Sequence, residues 1–183
     1  MAQIKQSKVR SMTYIALFAV LIGVCAWISI PGPVSFTMQT FGVFMAVGIL
    51  GGRRGSMAVL LYLLLGVIGM PVFAGFNSGI GALAGPTGGY IVGFLFSALA
   101  MWGVEALCGR KPLVLFLSML LGLVICYAFG TVWFVQVYTR TKGPMDTISA
   151  LSACVFPFII PDLLKIALAM FVQKRLRLAL KLA

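Results

Sequence analysis

The sequence predicts an all-α polytopic membrane protein: six transmembrane helices with a ligand pocket at the extracytoplasmic face. Three observations lead there. Hydrophobic residues make up 62% of the 183-residue chain and charged residues only 9%, against roughly 45–50% and 25% in a soluble domain. The apolar residues fall in long runs separated by short basic or Gly/Pro-rich turns, and those bases are distributed unequally between alternate turns. Six spans of about 20 residues would use about 120 residues, leaving short connections and no room for a separate soluble domain.

The first span is expected over Met12–Ile30, ended by Pro31-Gly32-Pro33, because proline cannot continue a helix. Lys5, Lys8 and Arg10 precede it like the start of a signal peptide. The apolar run is longer than an h-region and lacks a small-x-small exit, so it reads as a retained span. A polar loop, Val34 to Gln39, leads to a short second span over Thr40–Gly51. Gly51-Gly52-Arg53-Arg54-Gly55 reads as a tight basic turn before a third span over Ser56–Met70. The stretch from Val72 to Pro86 is rich in glycine and nearly free of charge, which suits irregular backbone folded over a bundle. The remaining spans are expected over Thr87–Leu107, Leu113–Tyr138 and Ile160–Gln173. Turns are placed at Gly109 to Pro112 and Thr139 to Pro144, with a short interfacial helix within Met145 to Ile159.

Charge sets the orientation. With the N-terminus inside, the inner segments hold Lys5, Lys8, Arg10, Arg53, Arg54, Arg110, Lys111, Lys174, Arg175, Arg177 and Lys181. The outer segments hold only Arg140 and Lys142. Basic residues favour the cytoplasmic side, so both termini are expected in the cytoplasm of a plasma-membrane protein. The same distribution accounts for the net charge of +11 without nucleic acid as a partner.

Function classes narrow by elimination. The chain has no histidine, and Cys25, Cys108, Cys126 and Cys154 form no C-x-x-C pair, so metal, thiol-redox and histidine-based nucleophilic sites are not expected and the cysteines read as small hydrophobes. Gly79-x-Gly81-x-x-x-Gly85 misses the dinucleotide spacing, and Gly85 to Gly89 lacks the lysine of a P-loop. No cofactor is implied. Three acidic residues disfavour a membrane enzyme, and the absence of a clear inverted repeat disfavours a secondary transporter.

Asp162 and Lys165 carry the most information. Ionisable side chains within a span are costly and usually face inward, paired and functional, and a spacing of three puts these two on one helix face. The derived topology puts Thr37, Gln39, Asn77 and Ser78 at the same end, which together make a small-molecule pocket. Phe36, Phe73, Phe76, Tyr90 and Trp133 are the aromatics available to wall it. Ala19-x-x-x-Gly23 and Gly48-x-x-x-Gly52 are small-residue faces where helices can approach closely.

Taken in order, Ser35-Phe36-Thr37-Met38-Gln39-Thr40-Phe41-Gly42-Val43, Gly52-Arg53-Arg54-Gly55, Leu61 to Gly66, Gly69-Met70-Pro71-Val72-Phe73, Gly85-Pro86-Thr87-Gly88-Gly89-Tyr90, Pro157-Phe158 and Pro161-Asp162-Leu163-Leu164-Lys165 resemble the biotin-specific substrate-binding component (BioY family) of energy-coupling-factor transporters. The resemblance spans most of the chain. It implies a six-helix fold that captures biotin from outside and docks on a coupling transmembrane subunit driven by two ATPase subunits. The family's polar site residues would fall on Asn77, Asp162 and Lys165, joined in the expected site by Gln39 and Tyr90. Its alanine-x-x-x-alanine docking face on the first helix would correspond to Ala19 and Gly23, and its glycine before the aspartate to Pro161. A sibling component for another vitamin stays open at this point, as does whether the chain acts alone, as a homo-oligomer or with ATPase partners.

Overall fold

The computed structural model describes residues 8–32 and 34–179; Lys5, Pro33 and Lys181 lie outside the described residues. Among the described residues the elements run α1 (Lys8–Trp27), β1 (Ser29–Ile30), β2 (Phe36–Thr37), α2 (Gln39–Leu50), α3 (Gly52–Val67), a 3-10 turn (Ala74–Phe76), α4 (Gly79–Ala84), α5 (Gly88–Cys108), α6 (Pro112–Lys142), α7 (Thr147–Cys154) and α8 (Phe156–Ala179). Six of these helices are long: α1, α2, α3, α5, α6 and α8. Lys8–Trp27, Gly88–Cys108, Pro112–Thr141 and Ile148–Leu176 are each long and apolar enough to cross a bilayer, and Gln39–Leu50 is a shorter apolar helix.

Packing rests on small residues. α5 and α6 share the largest helix contact. There Gly89 lies against Trp133, Gly93 against Cys126, Gly122 against Ser97 and Gly130 against the Tyr90 ring, so that a Cβ at Gly89, Gly122 or Gly130 would collide with its neighbour. These residues recur every four or eight positions, which places each set on one helix face. Lipid gives no hydrophobic drive for helix association, so close van der Waals approach through glycine has to supply it.

Several local expectations change. α1 stops at Trp27, short of Ile30, because Ser29 and Ile30 pair antiparallel with Thr37 and Phe36. The Met38 amide then donates to Cys25 O (3.1 Å), giving a terminal carbonyl of α1 a partner that a continued helix would have supplied. The basic turn shrinks to one residue. Gly51, at φ +88°, reverses the chain alone, and Gly52 to Gly55 already form the first turn of α3, fixed by Gly52 N–H donating to Glu105 Oε2 (2.7 Å). Gly48 and Gly52 therefore belong to two helices, and the face expected from their spacing does not exist: Gly48 abuts Gln173, and Gly52 abuts Trp102.

The glycine-rich stretch is more ordered than a loop, containing the 3-10 turn and α4. Trp27 Nε1 donates to Pro71 O (2.8 Å) and Trp133 Nε1 to Gly85 O (3.0 Å), which pin its two ends. The turn expected at Thr139 is helical, since nothing breaks α6 before Gly143 (φ +106°) and Pro144. The short helix expected within Met145 to Ile159 is the shorter α7. The last long helix begins at Phe156, four residues before the expected start; Pro157 falls in its first turn, where a missing N–H costs least, and Pro161 lies inside the helix, where it removes one i→i−4 hydrogen bond.

Candidate ligand-binding site

Asp162 and Lys165 sit on the inner face of α8, 3% and 5% exposed. Their i, i+3 spacing brings Lys165 Nζ to 2.7 Å from Asp162 Oδ1. The same ammonium donates to Thr37 O of β2 (2.6 Å) and lies 4.0 Å from the centre of the Phe36 ring. Asp162 Oδ1 also accepts from Thr40 Oγ1 (2.9 Å), and Oδ2 accepts from the Tyr127 hydroxyl of α6. Four segments (β2, α2, α6 and α8) thus meet on one ion pair. An ammonium has three donors and an ionised carboxylate about four acceptor positions. One N–H of Lys165 and one lone pair on Oδ2 remain after these partners are counted.

The pair lies on the wall of a cavity of about 500 Å³, within the range of small-molecule sites. All five residues expected to bind substrate, Gln39, Asn77, Tyr90, Asp162 and Lys165, line it, as do Thr37 and Ser78. They do so differently. Gln39 is buried, its Nε2 donating to Tyr62 OH and its Oε1 accepting from Thr37 Oγ1 (3.0 Å). Tyr90 shares a hydrogen bond with Thr131 Oγ1 (2.9 Å), which fixes its ring against the cavity. Asn77 is exposed at the mouth, with Nδ2 donating to Ala74 O (2.8 Å).

Of the aromatics expected to wall the pocket, Phe73 and Tyr90 do. Phe36 instead covers Lys165 and stacks on Phe158 (6.1 Å between centres), Phe76 stacks outside on Trp27 (5.2 Å), and Trp133 holds Gly85. Sequence reasoning missed Thr40, Tyr127, Ile91, Phe94 and Phe158, which also line the cavity. Thr40 stands directly after Gln39 in a stretch already singled out. Tyr127 lies mid-helix in an apolar run, where an aromatic residue carries no signal of its own. Cys25, Cys126 and Cys154 are buried as expected of small hydrophobes, while Cys108 is exposed.

The expected docking pair is corrected. Ala19 is 1% exposed, and Gly23 is buried, with Val72 Cβ 3.4 Å from where a Cβ would stand. Both face the protein's own core. The opposite face of α1, carrying Ala16, Val20 and Val24, is the exposed one. In lipid both faces of a span are apolar, so residue type alone did not separate inner from outer.

A mostly helical, multi-pass membrane protein with a cavity at one end, apolar-walled and holding one buried ion pair, is built as a binder of a small polar molecule. The comparisons make this specific: the BioY family profile matches residues 1–182, and the chain belongs to that family. It is 40% identical over 169 residues to the biotin transporter BioY of Thermotoga maritima, covering 92% of this chain and 96% of that relative. It is 38% identical over 171 residues to the probable biotin transporter BioY of Pyrococcus horikoshii, covering 93% and 98%. The crystal structure of the S-component for biotin from an ECF-type ABC transporter superposes with a TM-score of 0.80 at 28% identity, covering 96% of this chain and 95% of that one.

Proposed function

We propose that this protein is the biotin-capturing membrane component of an energy-coupling-factor transporter, not an enzyme. The single observation that carries this reading is the buried Asp162–Lys165 pair presented to a cavity of about 500 Å³, in a chain whose relatives are named biotin transporters. The pair offers an acceptor and a donor side by side, 2.7 Å apart. The ureido ring of biotin offers the complement, an N–H next to a carbonyl. Asp162 Oδ2 accepts from the ureido N–H, and the remaining N–H of Lys165 donates to the ureido carbonyl. The reverse pose would set the ligand carboxylate against the Asp162 carboxylate, and like charges at close range repel. The valeryl carboxylate therefore lies toward the mouth, where Asn77 has a second amide proton and water is near. Phe73, Ile91, Phe94 and Phe158 enclose the apolar thiophane and chain, while Gln39 and Tyr90 hold the walls in place.

The described bases Lys8, Arg10, Arg53, Arg54, Arg110, Lys111, Lys174 and Arg175 belong to the helix ends opposite the cavity. The positive-inside rule then puts the cavity at the outer face of the plasma membrane and both termini in the cytoplasm. The chain carries no P-loop lysine, so concentrative uptake draws on a coupling transmembrane subunit and two ATPase subunits. Uptake of labelled biotin by biotin-requiring cells tests this reading. Cells with the chain and its partner subunits accumulate biotin, and inactivating the ATPases abolishes accumulation. Equal accumulation without ATPases would refute the coupling.

A further inference from the structure

At the end of the bundle opposite the ligand cavity lies a second hollow, of about 400 Å³. Met45, Ile49 and Leu50 of α2 form its floor, Leu17, Phe18 and Leu21 of α1 one wall, and Leu176 of α8 the other. α1 and α8 both pack on α2, which lies between them. Leu17 is 55% exposed, so the cleft opens on the outer surface of the bundle. At membrane depth that surface meets acyl chains.

The rim has different chemistry. Tyr14, Arg54 and Arg110 complete the lining. Arg10 donates to Tyr14 OH from Nε (3.3 Å) and Nη2 (3.2 Å), adding a third guanidinium beside the rim. Arg110 is held by Gly48 O (2.9 Å) and by Glu105 (3.4 Å), with its side chain still 40% exposed. Of the three acidic residues in the chain, only Glu105 is at this end; Asp146 and Asp162 belong to the other. The cleft is therefore an apolar slot under a strongly cationic rim, placed where the bundle meets the headgroups. Its complement is an amphiphile with an apolar chain and an anionic head. Guanidinium groups bind phosphate through paired N–H bonds, and basic pockets between spans on the cytoplasmic side suit acidic headgroups.

We propose that the cleft between α1, α2 and α8 binds an anionic glycerophospholipid, one acyl chain against Met45 and Ile49 and the phosphate on Arg54 and Arg110. A zwitterionic lipid offers the same chain, but the cationic rim repels its ammonium.

Native mass spectrometry of the purified full-length protein, titrated with phosphatidylglycerol or phosphatidylcholine, tests the site. Phosphatidylglycerol is expected to be retained in preference to phosphatidylcholine. Arg54→Gln lowers its apparent affinity about tenfold, on the scale of a lost charge-assisted hydrogen bond. Arg54→Lys keeps most of it, and Arg140→Gln at the opposite end leaves it unchanged. Leu17→Trp, at the exposed edge of the slot, weakens retention of both lipids. Equal retention of the two lipids, or phosphatidylglycerol binding indifferent to Arg54→Gln, would overturn the proposal. So would a Leu17→Cys chain that crosslinks in membranes to a partner protein and excludes phosphatidylglycerol, which would make the cleft a protein interface.

Discussion

Replacing Lys165 by methionine removes the donor proposed to read the ureido carbonyl while keeping an unbranched side chain of similar length. The structure sets the scale of two separate effects. Lys165 Nζ contacts Asp162 Oδ1 at 2.7 Å, Thr37 O at 2.6 Å and the Phe36 ring at 4.0 Å. Its loss leaves a carboxylate that is 3% exposed with only Thr40 and Tyr127 as donors. Removing one partner of a buried pair costs about 3–5 kcal/mol, and Lys165→Met is expected to lose stability near the lower figure because those two hydroxyls remain. Its effect on binding is separate. One charge-assisted hydrogen bond to the ligand contributes about 1.5–3 kcal/mol, or roughly ten- to a hundred-fold in Kd. Isothermal titration of the detergent-purified variant with biotin and with biotin amide measures this loss and assigns the group that Lys165 contacts. Equal weakening of acid and amide is expected, because the tail lies at the mouth. A loss confined to the acid would refute the proposed pose and place the ligand carboxylate on Lys165. Unchanged affinity for both would make the pair purely structural.

Other consequences follow from the same contacts. Tyr127→Phe removes one of three hydrogen bonds to Asp162 and is expected to weaken biotin binding about tenfold, on the scale of one charged hydrogen bond, with helical circular dichroism unchanged; titration checks it. Ala19→Leu forces extra methylenes into the core of α1 and is expected to cost about 1–3 kcal/mol of stability, read as a lowered midpoint in thermal or denaturant unfolding; an unchanged midpoint would put Ala19 on an outer face. Gly130→Leu drives a side chain into the Tyr90 ring, separating α5 from α6 and lowering both stability and biotin affinity, whereas Gly103→Leu, with open space at its Cβ position, changes neither.

The sequence carried the long-range features and lost the local ones for identifiable reasons. Span number and the gathering of bases at alternate turns follow from the cost of placing charge in hydrocarbon, a cost large enough to shape composition. Asp162 and Lys165 were legible on the same ground, since few physical reasons tolerate two ionisable residues one turn apart in an apolar helix. Thr40 and Tyr127 were not, because a hydroxyl or phenol in a span is cheap and common. The direction of Ala19 and Gly23 was hidden because both faces of α1 are apolar. The helical start of α3 at Gly52 was hidden because Gly51 alone, at φ +88°, makes a reversal that glycine and arginine together suggested as a longer turn. The α5–α6 seam was written in Gly89-x-x-x-Gly93 and Gly122-x-x-x-Cys126-x-x-x-Gly130, a spacing that becomes decisive only once those two helices are known to be neighbours.

Equilibrium binding of radiolabelled biotin to the purified chain, with no partner subunits present, tests the central claim most directly. The account predicts saturable binding of one biotin per chain, competed by unlabelled biotin but not by riboflavin or thiamine, and weakened by Lys165→Met. Absence of saturable biotin binding in a folded, monodisperse preparation, or displacement of biotin by an unrelated vitamin, would contradict it.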